Sequence, residues 1–217
     1  MVRLSLNHSN GAPFRILCLG AHCDDIEIGC GGTLLRLLEE HANVEVDWVV
    51  FSSDAKRAKE MRSAATRFLR AARAKKVEVK AFRDSFFPFV GSKIKDHFSR
   101  LQSRVSPDVI FTHFRNDFHQ DHRTISDLTR NTFRDHIILE YEIPKYDGDL
   151  GSPNVFVPLD ERTCRQKVDY ILESYSSQRD RQWFTEETFF ATLRLRGVES
   201  NSPTKYAEGL YCRKLTI

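Results

Sequence analysis

The stretch Gly20-Ala21-His22-Cys23-Asp24-Asp25-Ile26-Glu27-Ile28-Gly29-Cys30-Gly31-Gly32 follows directly on the apolar run FRILCLG, residues 14–20. Such a run reads as a buried strand, and the glycine-rich turn after a first strand is where open α/β sheets keep their ligands. A dinucleotide fingerprint would need G-x-G-x-x-G, with backbone N–H groups free to face a pyrophosphate. This turn departs from it. His22, Asp24, Asp25 and Glu27 crowd three carboxylates where a helix begins, and carboxylates repel a phosphate unless a cation stands between them. Gly29, Gly31 and Gly32 let the first turn of that helix lie close to the sheet and leave a pocket above it.

Outward from this turn the chain alternates. TLLRLLEEH (33–41) has helical spacing, VEVDWVVFS (44–52) is a second strand and DAKRAKEMRSAATRFLRAARAK (54–75) a long helix. KKVEVKAF (75–82), a helix over 92–105, the strand DVIFTHF (108–114), a helix near 122–134 and the strand HIILEYEI (136–143) continue the pattern. A Pro/Gly-bearing loop (144–154), the segment VFVPL, helices over about 161–175 and 185–196 and a closing strand YCRKLTI (211–217) complete it. Strands alternating with helices predict an α/β fold, a Rossmann-like three-layer sandwich around a mainly parallel sheet, with the active site at the C-terminal strand edge. Neither a repeat nor a low-complexity linker divides the chain, so a single domain over 1–217 is expected.

Bulk properties narrow the function by exclusion. A net charge of +3, without alternating aromatic and basic residues, makes no case for nucleic acid. No apolar run approaches the ~20 residues that span a bilayer, and the first residues lack the apolar core of a signal peptide. A cytoplasmic protein without membrane attachment is expected. Cysteines at 18, 23, 30, 164 and 212 are odd in number and scattered, which reads as reduced thiols.

His22 and Asp25 are three apart, so in a chain that begins to coil after Ala21 they point roughly the same way, as two ligands of one metal must. Asp24 is then aimed elsewhere but stays close. A third ligand is offered by HFRNDFHQDHRT (113–124), which follows the strand DVIFTHF and also emerges at the carboxyl edge. There His119, Asp121 and His122 lie where the next helix begins. Two histidines and a carboxylate with an open fourth position form the ligand set of a hydrolytic zinc site, and nitrogen donors favour zinc over magnesium.

These residues resemble the LmbE-like, or PIG-L-type, zinc-dependent N-acetylglucosaminyl deacetylases. The family's A-H-P-D-D-E stands here as Ala21-His22-Cys23-Asp24-Asp25, with Ile26 inserted before Glu27. Its H-x-D-H stands as His119-Gln120-Asp121-His122. A weaker element, R-x-x-E-x-x-x-A-A, falls on Arg57, Glu60, Ala64 and Ala65, and Tyr206-Ala207-Glu208 is a late familiar segment. The resemblance implies a zinc-dependent hydrolase that removes acetyl from an N-acetylated amino sugar, free or in a nucleotide or glycoconjugate form. It implies Zn2+ held by His22, Asp25 and His122, Asp24 as general base, His119 polarising the acetyl carbonyl with Asp121 behind it, and Arg57 on the substrate. Cys23 stands where the family has proline.

Simpler roles compete with each of these. His22 with Asp25 can be an N-cap pair, and Asp121 can cap the helix after His122; two such clusters at matching strand ends outweigh that reading. Ten Lys or Arg against Glu60 and Glu78 between Lys56 and Lys80 form a solvated face, from which Arg57 departs by lying near the ligand edge. Cys23 reads as packing rather than ligation. Trp183, Phe184, Phe189 and Phe190 read as core rather than as walls of a substrate groove. Two other functions stand as alternatives. A nucleotide-sugar-binding protein without catalysis is disfavoured by an intact Asp24 and His119. A metal-dependent phosphoesterase needs a second metal and further carboxylates that the motifs do not supply. Homo-oligomerisation is left open.

Overall fold

A computed structural model describes Leu6 and residues 11–216. Seven strands form one sheet in the order β3-β2-β1-β4-β5-β7-β6. The strands are β1 Phe14–Gly20, β2 Val44–Val50, β3 Ala74–Val79, β4 Val109–His113, β5 Ile137–Tyr141, β6 Val155–Leu159 and β7 Tyr206–Cys212. The first five run parallel, and β7 is antiparallel to both β5 and β6. The helices are α1 Asp25–Glu40, α2 Ala55–Phe68, α3 Gly91–Gln102, α4 Gln120–Thr132, α5 Glu161–Ser174 and α6 Glu186–Glu199.

Strand alternation sorts the core into two layers. Ile16, Cys18, Val46, Trp48 and Phe111 face α1, α2 and α5, where Leu34, Met61, Val168 and Ile171 meet them. Leu17, Leu19, Val49 and Ile110 face α3 and α4, against Ile94, Phe98, Leu101 and Ile125. The three-layer α/β sandwich with a mainly parallel sheet is thus present. Phe184 and Phe189 belong to the core, with Trp183 and Phe190 packed half-buried against it. No helix among the described residues is long and apolar enough to cross a membrane.

Three elements differ from the sequence reading. The first helix starts at Asp25, eight residues before the apolar repeat at Thr33, and its backbone breaks at Cys30 (φ −142°, ψ 16°). The glycines that hide this turn from propensity are required by contact: a Cβ on Gly29 would lie 2.1 Å from the Tyr141 ring. The long basic helix stops at Phe68, because the chain must turn to pair Ala74 with Glu45 of β2. The closing strand is Tyr206–Cys212, five residues earlier than expected, and the basic residues Arg213 and Lys214 lie beyond it. Pro158 sits in β6, an edge strand, where a missing N–H is tolerated.

Because β1 lies between β2 and β4, the chain leaves the sheet centre in opposite directions, and a crevice opens above the carboxyl ends of β1 and β4. The turns after those two strands carry both sequence motifs.

Candidate metal centre

The turn after β1 is shaped by its own side chains. Asp25 Oδ2 accepts the backbone N–H of His22 at 2.6 Å, closing the turn, and Asp24 takes a left-handed conformation, φ 101°. A non-glycine residue there is strained. The result is that Asp24 and Asp25 diverge. Asp25 stays under His22, while Asp24 Oδ1 reaches Arg57 Nη2 at 3.1 Å. The same Nη2 donates to the Cys23 carbonyl at 2.6 Å, and Asp54, at the N-terminus of α2, holds the Arg57 backbone N–H.

Across the crevice, His119 caps α4 and His122 lies in its first turn. His22 Nδ1 and His122 Nε2 stand 3.2 Å apart. Asp25 places one oxygen 3.6 Å from His122 Nε2 and the other 3.6 Å from His22 Nδ1. Donor atoms bonded at about 2.0–2.2 Å in a tetrahedron stand roughly 3.3–3.6 Å apart, so the spacing suits one divalent cation. Each histidine is also backed. His122 Nδ1 donates to Asp117 Oδ2 at 2.9 Å, which leaves the Nε2 lone pair facing the cluster. His22 Nε2 meets Asp121 Oδ2 at 3.2 Å and Asp84 Oδ1 at 3.1 Å. Carboxylates behind the far ring nitrogens are the usual support of metal-bound histidines.

The charges tell the same story. Burial works against a proton on His22, yet its bonds to Asp121 and Asp84 and the nearby charge of Asp25 raise it to about 10. Burial and the neighbouring His113 lower His122 to about 3, so it stays neutral. Asp25 is held well below the carboxylate range by the rings of His122, His113 and His22, against the effect of burial. The cluster thus draws in a proton where a cation would serve, and its donors fit a metal. Burial pushes Asp24 up to about 7, with Arg57 opposing. Among the described residues, three groups of side chains bring ligand atoms within 4.8 Å of one another: His22, His119 and His122; Asp25, His113 and His122; and His22, Asp84 and Asp121.

All seven residues singled out from the sequence lie around this crevice, with two differences in contact. Asp121 stands behind His22 rather than behind His119; its two oxygens also accept the backbone N–H groups of Ser85 at 2.7 Å and Phe87 at 3.1 Å. The Asp121 backbone N–H instead donates to His119 Nδ1 at 3.2 Å. This leaves the His119 proton on Nε2, and the half-buried ring lies edge-on to His22 at 4.9 Å. Arg57 spends Nη2 on Asp24 and the Cys23 carbonyl, while its buried Nε has no hydrogen-bond partner. Cys23 Sγ turns to the Ser53 hydroxyl at 3.3 Å, and buried Glu27 accepts the Tyr175 hydroxyl.

Asp84, His113, Asp117 and Lys145 also face the cluster, beyond the residues the sequence motifs single out. Asp117 and His113 lie within the HFRNDFHQDHRT stretch (113–124), which is their one sequence signal. His113 Nε2 lies 3.1 Å from Asp25 Oδ2, with its ring stacked on His122 at 3.9 Å. Asp84 and Asp121 bring two further carboxylates to the far nitrogen of His22, and the Asp121 oxygens also accept the Ser85 and Phe87 backbone N–H groups.

A mainly parallel α/β sheet with a His/Asp metal cluster at its central crevice defines a class of metal-site α/β proteins. Within that class the family described as GlcNAc-PI de-N-acetylase, PIG-L, matches residues 17–133, more than half of the chain. The protein belongs to the PIG-L family. Among solved structures it is similar to the N,N'-diacetylchitobiose deacetylase of Pyrococcus horikoshii, with 22% identity, TM-score 0.67, and 92% of this chain and 83% of that one covered. A zinc-inhibited form of teicoplanin deacetylase Orf2 aligns with 17% identity and TM-score 0.69 over 91% and 97% of the two chains. GalB, a 4-carboxy-2-hydroxymuconate hydratase of Pseudomonas putida KT2440, aligns as well: 17% identity, TM-score 0.69, 94% and 98% covered. Deacetylases and a hydratase share this fold, so the reaction is decided at the site.

Proposed function

We propose that the protein is a zinc-dependent hydrolase that removes the N-acetyl group from an N-acetylated amino sugar or its conjugate. The observation that carries this reading is the convergence of His22 Nδ1, His122 Nε2 and the Asp25 carboxylate at 3.2–3.6 Å, with the Asp24 carboxylate diverging beside them. His22, Asp25 and His122 would hold the metal. A zinc ion held by these residues would supply Lewis acidity, enough to activate water near neutral pH and to draw charge from an acyl oxygen. Asp24 takes the proton of the attacking water, and Arg57 holds that carboxylate in place. His119 presents Nε2–H toward the crevice and bonds the oxygen on which negative charge develops. Asp24 or His119 returns a proton to the departing amine, and acetate leaves with the free amino sugar. Asp121 and Asp117 fix the rings of His22 and His122.

The substrate class rests on the family, described as a GlcNAc-PI de-N-acetylase, and on the amino-sugar deacetylases among the fold's members. An open groove of about 710 Å³ bordered by Phe118, Asp149 and Arg213 would take the rest of a conjugate. Five free cysteines without a disulfide support a reducing compartment such as the cytoplasm. The test is release of acetate from a panel of free, nucleotide-linked and lipid-linked N-acetyl amino sugars by zinc-loaded protein. Acetate from one class, abolished by chelation, supports the reading. No acetate from any of them, with hydration of an unsaturated carboxylic acid instead, would replace it with a hydratase.

A further inference from the structure

Lys145, just after β5, is a nearly buried ammonium that the deacetylase reading leaves without a role. Its side chain is 10% exposed, and Nζ lies 3.0 Å from Asp117 Oδ2 and 2.7 and 2.6 Å from the two oxygens of Asp149. Both carboxylates grip the turn that carries the His/Asp motif. Asp117 Oδ1 accepts the His119 backbone N–H at 2.8 Å and its Oδ2 accepts His122 Nδ1–H at 2.9 Å. Asp149 Oδ2 accepts the Phe118 backbone N–H at 2.6 Å. One cation therefore joins two acids that hold two consecutive backbone N–H groups, those of Phe118 and His119, and the ring of His122.

The geometry points to Lys145 as a positioning residue for the metal centre, acting through Asp117 on the aim of His122 Nε2; this rests on the reading of His122 as a metal ligand. A buried ion cluster is a weak stabiliser, since desolvation offsets most of the attraction. What this one supplies is direction. Without the ammonium, Asp117 and Asp149 face each other as like charges, Asp117 swings away and the His122 ring loses its restraint. Partners of metal-bound histidines typically contribute about 10–100-fold to metal affinity when removed.

The test is zinc titration of the metal-free full chain against a chelator of known affinity, together with the visible spectrum of the cobalt-loaded protein. Lys145→Met is expected to weaken zinc by roughly 10–100-fold and to alter the cobalt bands, with Lys145→Arg restoring most of the affinity. Asp117→Asn is expected to weaken zinc likewise, and the double variant to lose no more than the worse single, because both act through one contact. Should Lys145→Met fold poorly, Lys145→Met/Asp149→Asn relieves the repulsion but still leaves Asp117 without its ammonium, so a smaller loss of zinc affinity in the same direction is expected, and no loss overturns the proposal. A merely structural lysine would lower the unfolding midpoint of the metal-free protein yet leave zinc affinity and cobalt bands as in wild type; that result overturns the proposal, as do losses that multiply in the double variant. If Asp117→Asn also leaves zinc unchanged, the ligand reading of His122 fails with it. If Asp117→Asn weakens zinc and Lys145→Met does not, only Lys145 is refuted.

Discussion

Asp24 and Asp25 are consecutive residues of one type whose surroundings give them opposite work. Asp25 is ringed by imidazoles, which hold it ionised against burial. Asp24, turned away by its left-handed backbone, faces a single guanidinium. Asp24→Asn keeps size and hydrogen bonding but cannot accept a proton. It should retain zinc near wild-type occupancy while turnover falls by about 100- to 10,000-fold. Asp25→Asn should weaken zinc itself; a loss of zinc in the first variant and retention in the second would exchange their roles. Arg57 needs a revised expectation. Seen from the sequence, it touches substrate and its loss raises KM. Because its Nη2 is spent on Asp24 and the Cys23 carbonyl, Arg57→Ala should instead lower kcat by a larger factor than it raises KM. A KM increase at unchanged kcat would return Arg57 to the substrate.

At the scale of elements, α1 shows how the site is paid for elsewhere in the fold. Its break at Cys30 opens the hydrogen bond that would join the Ile28 carbonyl to the Gly32 N–H, and a buried ion pair enters the gap. Lys167 Nζ donates to the Ile28 carbonyl at 2.6 Å, Glu208 accepts the Gly32 and Thr33 N–H groups at 2.8 and 2.6 Å, and the pair itself closes at 2.6 Å. Glu208→Ala strands a buried ammonium and two helix donors, so it should destabilise the protein by about 3–5 kcal/mol, read from urea unfolding of the metal-free chain. A change below about 1 kcal/mol would mean that water replaces the carboxylate. This element also marks how far the sequence could be read. The pair His22 and Asp25 is legible because three-residue spacing is local geometry, and the two motifs are legible because both end strands. The helix from Asp25 to Gly32 is not, since glycines carry low propensity and the pair that holds it comes from 139 and 176 residues away. Asp84 and Lys145 reach the cluster only through tertiary packing, so no spacing announces them, whereas Asp117 lies five residues before His122 in the same motif. The placement of Asp121 behind His22 is hidden for the same reason: the Ser85 and Phe87 backbone that aims it lies on another turn.

For the whole molecule, the cluster joins the two turns at the switch point of the sheet, after β1 and after β4, with about a hundred residues between His22 and His122. In the metal-free state these turns and the segment after β3 bring Asp24, Asp25, Asp84, Asp117 and Asp121 together, with Arg57 on Asp24, Lys145 on Asp117 and a protonated His22 on Asp84 and Asp121. A divalent ion that binds the folded chain and not the unfolded one relieves that excess and adds stability by mass action. At a free concentration a thousandfold above its dissociation constant the gain is about 4 kcal/mol. For a chain of this length each kcal/mol moves Tm by about 2–4 °C, so chelation should lower Tm by roughly 8–16 °C and zinc should restore it. His22→Ala and His122→Ala each remove a ligand from one of the two turns, and both should abolish the zinc-dependent part of the shift. A variant on the remote basic face of α2, such as Lys59→Ala, should keep it in full. Thermal scans with chelator, and then with zinc returned, measure this directly. An equal shift in wild type and both histidine variants would mean that zinc stabilises the fold from somewhere other than this crevice, and the assignment of the centre would be wrong.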